Sequence, residues 1–323
     1  MIRSPIPLGN SAPPPPWREE LLMDSPISEP PAHLLGSTGL SGVRGSRRRM
    51  SSQLIIHILL ASYCLTSVAA FFWYLLTSLK TNEEFLTKSP WSLPSRLNFS
   101  NFIEAFHNAR VESFILNSLY VTVLSVALGI GVSTMAAYAL ARVEFLGRKL
   151  IMGLLLMGML MPAFGSIIPL YFLLRNLHLL GSLNGLVLVY VATQIPLSIY
   201  VLCGFYAALP VELEEAAYLD GASASRTFFS IVLPQTYPVT LSLVVLNSLT
   251  IWNEFVLALV LLPNQGKQTV AIGLLGLSVQ AQYSGDWVQL FAGLIIASVP
   301  MLILFIVAQD RIARGIAFGG LKG

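Results

Sequence analysis

The stretch Glu214-Glu215-Ala216-Ala217-Tyr218-Leu219-Asp220-Gly221, followed by Ile231-Val232-Leu233-Pro234, lies between two long apolar segments of the chain. Of the 323 residues, 55% are hydrophobic and only 11% are charged. A soluble core of this size does not need so much apolar sequence. The composition therefore predicts an integral membrane protein, and the charged stretch is an interruption between two of its membrane segments.

The interruption itself predicts a helix, a turn and a second helix. Pro210 suits the first turn of a helix, and the acidic residues at 212–215 place negative charge near the positive N-terminal end of that helix. Gly221 suits the left-handed conformation that ends a helix, Ser223 suits a cap for the next one, and Pro234 suits its end. Residues 207–236 are therefore predicted to form a short, rigid helical elbow in the cytoplasm.

Six apolar segments are long enough to cross a bilayer as helices, which takes about 20 residues each. Basic residues gather in the segments on the elbow side, including the cluster at 44–49, Arg142, Arg148 and Arg226, and this bias favours cytoplasmic N- and C-termini. The predicted fold class is therefore all-α and integral to the membrane, with the elbow between spans 4 and 5. The six predicted spans are about 54–79, 114–141, 149–175, 184–206, 238–262 and 288–309.

The N-terminal segment differs in composition from the rest of the chain. It contains a proline run at 13–16 and a basic cluster, and it shows no apolar periodicity. Residues 1–53 are therefore predicted to be a disordered cytoplasmic tail, and residues 54–323 a transmembrane domain. Because Met50 stands directly before the first apolar segment, an alternative is that the functional chain begins there.

Several kinds of function find no support in the sequence. The chain has no G-x-x-x-x-G-K-[ST] phosphate loop and no G-x-S-x-G motif, so neither ATP binding nor catalysis is predicted for it. The two cysteines lie inside apolar segments and the four histidines are scattered, so no metal site is expected. The net charge of +3 is too small and too dispersed to indicate nucleic acid binding.

The elbow resembles the EAA motif of ABC importer permeases. The matching positions are Glu215-Ala216-Ala217, Gly221, Ile231 and Leu233-Pro234. Further likeness to the maltose-type carbohydrate branch, and to the second of its two permease subunits, lies in Ala136-Ala137-Tyr138-Ala139-Leu140-Ala141-Arg142 and Trp252-Asn253-Glu254-Phe255. The resemblance covers about residues 54–323 and implies the type I ABC importer permease fold.

The resemblance also implies a function and a set of partners. A chain of this kind is a non-catalytic subunit of a sugar importer in a prokaryotic cell membrane, working by alternating access. It pairs with a homologous permease, two ATPase subunits that bind ATP and Mg²⁺, and an extracytoplasmic solute-binding protein. The residues expected to couple to the ATPase are Glu214, Glu215, Ala216, Ala217, Asp220, Gly221, Ile231, Leu233 and Pro234, with a C-terminal contact through Gly320, Leu321 and Lys322.

Two further sets of polar residues are candidates for roles in transport. A carboxylate is costly in lipid, so Glu254 is expected to face a partner helix or a wet cavity, and a polar cluster of Glu254 with Asn253 and Asn247 is favoured over direct sugar contact. By resemblance, the external segment between spans 5 and 6 contacts the solute-binding protein. Its candidate residues are Gln280, Gln282 and Tyr283.

Two alternatives from other functional classes remain. An ion-coupled secondary transporter normally needs inverted repeats and ion-binding groups at the membrane midplane, and neither is visible in the sequence. A non-transporting membrane scaffold or receptor is the other. Neither alternative accounts for the cytoplasmic elbow.

Overall fold

The computed structural model describes the backbone of residues 41–160, 163–263 and 265–319, and the side chains of residues 53–160, 165–263 and 266–309. This part of the chain is helical and contains no β-strand. The chain falls into two units, residues 1–67 and 68–323. The described residues of the first unit belong to a helix that begins at Ser41, which is earlier than the predicted boundary at residue 53. The predicted disorder of residues 1–40 lies outside the described residues.

Fourteen helices are labelled here in chain order, and short 3₁₀ or π turns extend some of them. Their bounds are α1 Ser41–Ser78, α2 Asn82–Thr87, α3 Ser100–Ile103 with a π turn Glu104–Asn108, α4 Val111–Arg142, α5 Arg148–Leu160, a 3₁₀ turn Ala163–Ser166 leading into α6 Ile167–Asn176, α7 Leu183–Ala208, α8 Glu212–Leu219, α9 Ala224–Thr227 with a π turn Phe228–Val232, α10 Leu233–Gln235, α11 Tyr237–Trp252, α12 Val256–Leu261, a 3₁₀ turn Gln265–Lys267, α13 Val270–Ser284 and α14 Trp287–Gly319.

Four of the described helices are long and apolar enough to cross a membrane, namely α1, α4, α7 and α14. A fifth candidate is the pair Ala224–Gln235 and Tyr237–Trp252, which is bent by 71°. The predicted third span is divided between α5 and α6, and the predicted fifth span between α11 and α12. The all-helical prediction is therefore confirmed, whereas a count of six spans stays a prediction.

The largest hydrophobic core lies along the contact between α4 and α7. Small residues of α4, among them Ser125, Ser133 and Ala137, are fully buried there, and the Ser125 hydroxyl donates to the Val187 carbonyl at 3.4 Å. Small side chains let two helix backbones approach closely, which is how helices associate inside a membrane. The buried thiol of Cys203 belongs to the same contact, where it lies 3.4 Å from the Ala137 carbonyl. This helix pair is the frame on which the elbow is mounted.

Gly185, in the first turn of α7, packs against backbone rather than side chain. A Cβ atom added there would lie 2.4 Å from the carbonyl oxygen of Leu179. Because a backbone oxygen moves less easily than a side chain, we expect Gly185→Ala to destabilise the protein by about 1–3 kcal/mol. Thermal unfolding in detergent would measure this. Gly204→Ala in the same helix is the matched control, because nothing lies within 4 Å of its added Cβ, and an equal loss in both variants would contradict the prediction.

Candidate functional site

The elbow has the local structure that the sequence predicts. Helix α8 ends at Leu219, and Gly221 adopts φ +78°, which lets the Ala222 N–H return to the Ala217 carbonyl at 2.9 Å. This is the helix-ending hydrogen bond that a left-handed glycine permits. The Ser223 hydroxyl then accepts from the Arg226 N–H at 3.4 Å and caps α9. The second arm runs past Pro234 to Gln235 before the chain turns into α11.

Helix α8 has an inward and an outward face. Glu214, with 6% of its surface exposed, and Ala217 are buried. Glu215, Ala216, Asp220 and Gly221 are exposed, and the neighbouring Leu219 is 89% exposed. In the second arm, Ile231 and Leu233 are half-buried and Pro234 is exposed. The predicted coupling residues therefore do not form a single surface, because Glu214 and Ala217 point into the protein.

The carboxylate of Glu214 is held by the C-terminal turn of α4. Its Oε1 lies 2.8 Å from Arg142 Nε, an ion contact without the alignment of a hydrogen bond, and its Oε2 accepts from the Tyr138 hydroxyl at 2.7 Å. Arg142 also donates through Nη2 to the Leu209 carbonyl at 2.8 Å, where α7 ends. The end of α4 thus holds the end of α7 and the elbow helix together.

The second arm of the elbow packs on the same tyrosine. The ring of Tyr138 lies 4.8 Å from that of Phe228 and 5.7 Å from that of Tyr206, as measured between ring centroids. Sequence reasoning did not find this arrangement, although it noted residues 136–142 as a motif. Residues so far apart in sequence show no regular spacing from which their contact could be predicted.

Glu254 lies where the predicted fifth span breaks. Its Oε1 accepts from the Leu257 N–H at 2.8 Å, and its Oε2 accepts from the Ala258 N–H at 3.0 Å and from the Tyr190 hydroxyl at 2.6 Å. The carboxylate therefore satisfies two of the N–H groups that the start of α12 leaves without helical partners. Glu254 faces a partner helix, α7, as the sequence predicted.

The predicted cluster of Glu254 with Asn247 is not formed. The buried Asn247 side chain donates instead to the Ser198 hydroxyl at 3.1 Å. Both residues contact α7, but Tyr190 and Ser198 are eight residues apart on that helix, or about 12 Å at 1.5 Å per residue. Asn247 and Glu254 therefore have separate hydrogen-bond partners on α7.

Asn253 is exposed and lines a groove of about 460 Å³ between α11, α13 and α14. Its amide donates to the Leu249 carbonyl at 2.8 Å. Trp252 and Met301 contribute to the largely apolar lining, in which Ser298 is the other polar residue. Of the three predicted path residues, Asn253 is thus the exposed one.

The remaining predicted residues lie at two separate places. Gln280, Gln282 and Tyr283 are exposed at the end of α13, which Gly285 terminates at φ +75°. The external segment between spans 5 and 6 is therefore mostly helix. Gly320, Leu321 and Lys322 lie outside the described residues. Within the described part of the chain, no group of three or more His, Cys, Asp or Glu side chains is placed to hold a metal ion.

Comparison with known proteins agrees with this architecture. Residues 129–318 match the family described as "Binding-protein-dependent transport system inner membrane component". The chain is 36% identical to the diacetylchitobiose uptake system permease protein NgcG of Streptomyces coelicolor, over 86% of this chain and 91% of that protein. It is 34% identical to the probable ABC transporter permease protein YurM of Bacillus subtilis, over 83% and 88% of the two chains.

A solved structure shares the fold. A chain in the crystal structure of a bacterial ABC transporter that imports the acidic polysaccharide alginate superimposes with a TM-score of 0.72, at 21% identity, over 82% of this chain and 97% of that one. The resemblance drawn from the sequence motifs is therefore confirmed. The chain belongs to the family of inner membrane components of binding-protein-dependent transport systems, and it is a multi-pass, non-catalytic permease subunit of the ABC transporter class.

Proposed function

We propose that this permease subunit imports a carbohydrate by alternating access, driven by a separate ATPase that binds ATP and Mg²⁺. The observation that carries the proposal is the elbow, a short helix pair with an exposed face and a buried face, held on the ends of two membrane helices. A helix pair attached in this way would transmit a movement of a protein bound to its exposed face to the membrane helices. The named function of the Streptomyces relative, diacetylchitobiose uptake, supports a carbohydrate as cargo.

The proposed topology has six spans with both termini and the elbow in the cytoplasm. In it, α5 and α6 together form the third span, and α11 and α12 together form the fifth. The basic residues Arg142, Arg148 and Lys149 at the adjoining ends of α4 and α5 support a cytoplasmic position for that end. A broken span is tolerated in a membrane where side chains satisfy the freed backbone groups, as Glu254 does here.

The proposed assembly contains a homologous permease, two ATPase subunits and a solute-binding protein. The outward face of the elbow, with Glu215, Ala216, Asp220 and Gly221, would contact the ATPase, together with Gly320, Leu321 and Lys322. Gln280, Gln282 and Tyr283 would contact the binding protein. A periplasmic binding protein holding an alginate pentasaccharide occurs in complex with the alginate transporter, whose fold this chain shares, and this supports such a partner.

For the substrate path we propose Asn253 as a polar contact. Its exposed position in the groove beside Trp252 supports this assignment, since a sugar needs both hydrogen-bonding groups and apolar surface. Asn247 and Glu254 would then serve the path indirectly, by fixing the helices that shape it.

Transport by the purified complex tests the proposal. A tag on this chain is expected to co-purify a second permease and an ATPase with a phosphate loop, which mass spectrometry would identify. After reconstitution into liposomes with the binding protein, uptake should require ATP. Calorimetry of the binding protein over a sugar panel would name the cargo. Uptake driven by an ion gradient without ATP would instead favour a secondary transporter, and sensing without uptake would favour a receptor.

A further inference from the structure

We infer that Tyr138, Arg142 and Glu214 form a clamp that sets the orientation of the elbow against the α4–α7 pair. Glu214 is then a positioning residue and makes no contact with the ATPase. This inference deepens the proposed function, because the clamp would carry force from the elbow to the membrane helices.

Both charges of the clamp are largely buried. The side chains of Glu214 and Arg142 are 8% and 14% exposed, so both charges are largely removed from water. Burying an ion pair is costly unless further hydrogen bonds satisfy its members, and apolar residues of similar size often stabilise a fold as well or better. Tyr138 and the Leu209 carbonyl supply those further bonds. These two hydrogen bonds are directional, so the clamp fixes the orientation of both charged side chains.

The clamp joins α4, α7 and the elbow helix α8 through one side chain. Arg142 contacts Leu209, at the end of α7, and Glu214, in the elbow helix, while its own backbone ends α4. One side chain therefore meets three elements at a single point. The elbow cannot tilt without moving the ends of α4 and α7, unless this contact breaks.

Helix α8 is divided into a buried face and an exposed face. Glu214 and Glu215 are adjacent and chemically identical, yet the first is buried and the second exposed. The outward surface then presents Glu215, Asp220 and the apolar Leu219. The two glutamates are matched probes for the two faces, because the same substitution at each position tests one face only.

Spin labels would measure the clamp directly. In the full-length permease, purified without the ATPase so that the outward face of the elbow is uncovered, Cys64 and Cys203 are replaced by alanine. Labels are attached at Leu219→Cys on the elbow and Met135→Cys on α4, both exposed positions. We expect Glu214→Gln to broaden the distance distribution between them and Glu215→Gln to leave it narrow. The exchange Arg142→Glu with Glu214→Arg is expected to narrow it in part. The Tyr138 hydroxyl can accept from an arginine, but a glutamate at position 142 cannot donate to the Leu209 carbonyl.

ATP hydrolysis by the assembled, unlabelled transporter shows what the clamp does. With Glu214→Gln, the ATPase should still co-purify, but stimulation of hydrolysis by the binding protein should fall at least about tenfold, because the largely buried guanidinium of Arg142 loses its counter-ion. The charge exchange should restore part of it. With Glu215→Gln, the loss should be in ATPase co-purification.

Two results would overturn the clamp. One is a narrow distance distribution in Glu214→Gln with the ATPase retained. The other is a narrow distribution with loss of the ATPase, which would make Glu214 a direct contact. The distance measurement does not depend on transport. Suppose that Glu214→Gln broadens the distance distribution between the labels, but wild-type complexes show no ATP-dependent uptake. The proposed function is then wrong, and the inferred clamp is still supported.

Discussion

Replacing Gly221 with valine is expected to reduce substrate uptake about ten- to a hundredfold, because a left-handed backbone costs a β-branched residue about 1–3 kcal/mol. Gly221 has φ +78°, and nothing lies within 4 Å of the place where its Cβ would be. The Cβ atom itself would meet no steric overlap, so the penalty expected is one of backbone strain. Relief of that strain would open the hydrogen bond from Ala222 to Ala217 and let the second arm of the elbow move away from the first.

Gly221→Asn is the matched control for this prediction. Asparagine tolerates the left-handed region far better than valine does, so this variant is expected to keep most of its uptake. Both variants should insert in the membrane at the wild-type level, since the elbow lies between the apolar helices. Uptake in proteoliposomes, normalised to the amount of inserted protein, is the measurement. An equal loss of uptake in both variants would show that side-chain bulk at the turn, and not backbone strain, causes the effect.

Replacing Glu254 with alanine is the second large effect we expect. The change removes the acceptor for the Leu257 and Ala258 N–H groups, which costs about 0.5–2 kcal/mol as a lost helix cap. It also strands the hydroxyl of Tyr190, which is 2% exposed, at a further cost of about 1–3 kcal/mol. We expect a lower midpoint of thermal unfolding in detergent and a loss of uptake.

Glu254→Gln distinguishes this structural role from proton coupling. The glutamine oxygen still accepts a hydrogen bond and its size is nearly unchanged, so stability and ATP-driven uptake should fall much less than in the alanine variant. A carrier that moves protons through Glu254 would lose coupled uptake equally in both variants. Uptake assayed with ATP, and separately with an imposed pH gradient, separates the two outcomes.

Local features of this chain were predictable from the sequence, because each depends on a few adjacent residues. The helix, the glycine turn and the serine cap of the elbow follow from the chemistry of residues 210–226, and the structure confirms all three. The all-helical class follows from long apolar segments, since a membrane-spanning chain must satisfy its backbone groups within helices or a closed barrel.

Features that depend on distant or opposed groups were not predictable. The clamp joins Tyr138 and Glu214, which are 76 positions apart in the sequence. No pattern within either helix predicts that the two residues are in contact. Average hydropathy also conceals the break at residues 253–255, because the apolar residues on either side dominate any window. The polar residues Asn253 and Glu254 were a signal of it, but their meaning as an interruption and a cap required the backbone geometry.

A rotation about the 71° bend after the elbow would displace the far end of α11. Thr236 sits at the vertex, fully buried, with its hydroxyl bonded to the Leu233 carbonyl at 2.7 Å. From that pivot, the 16 residues of α11 form an arm of about 24 Å at 1.5 Å per residue, so a turn of about 10° moves its far end by about 4 Å. That end carries Trp252 and the capped break. A movement of the elbow about Thr236 would therefore reach the groove that Trp252 and Asn253 line.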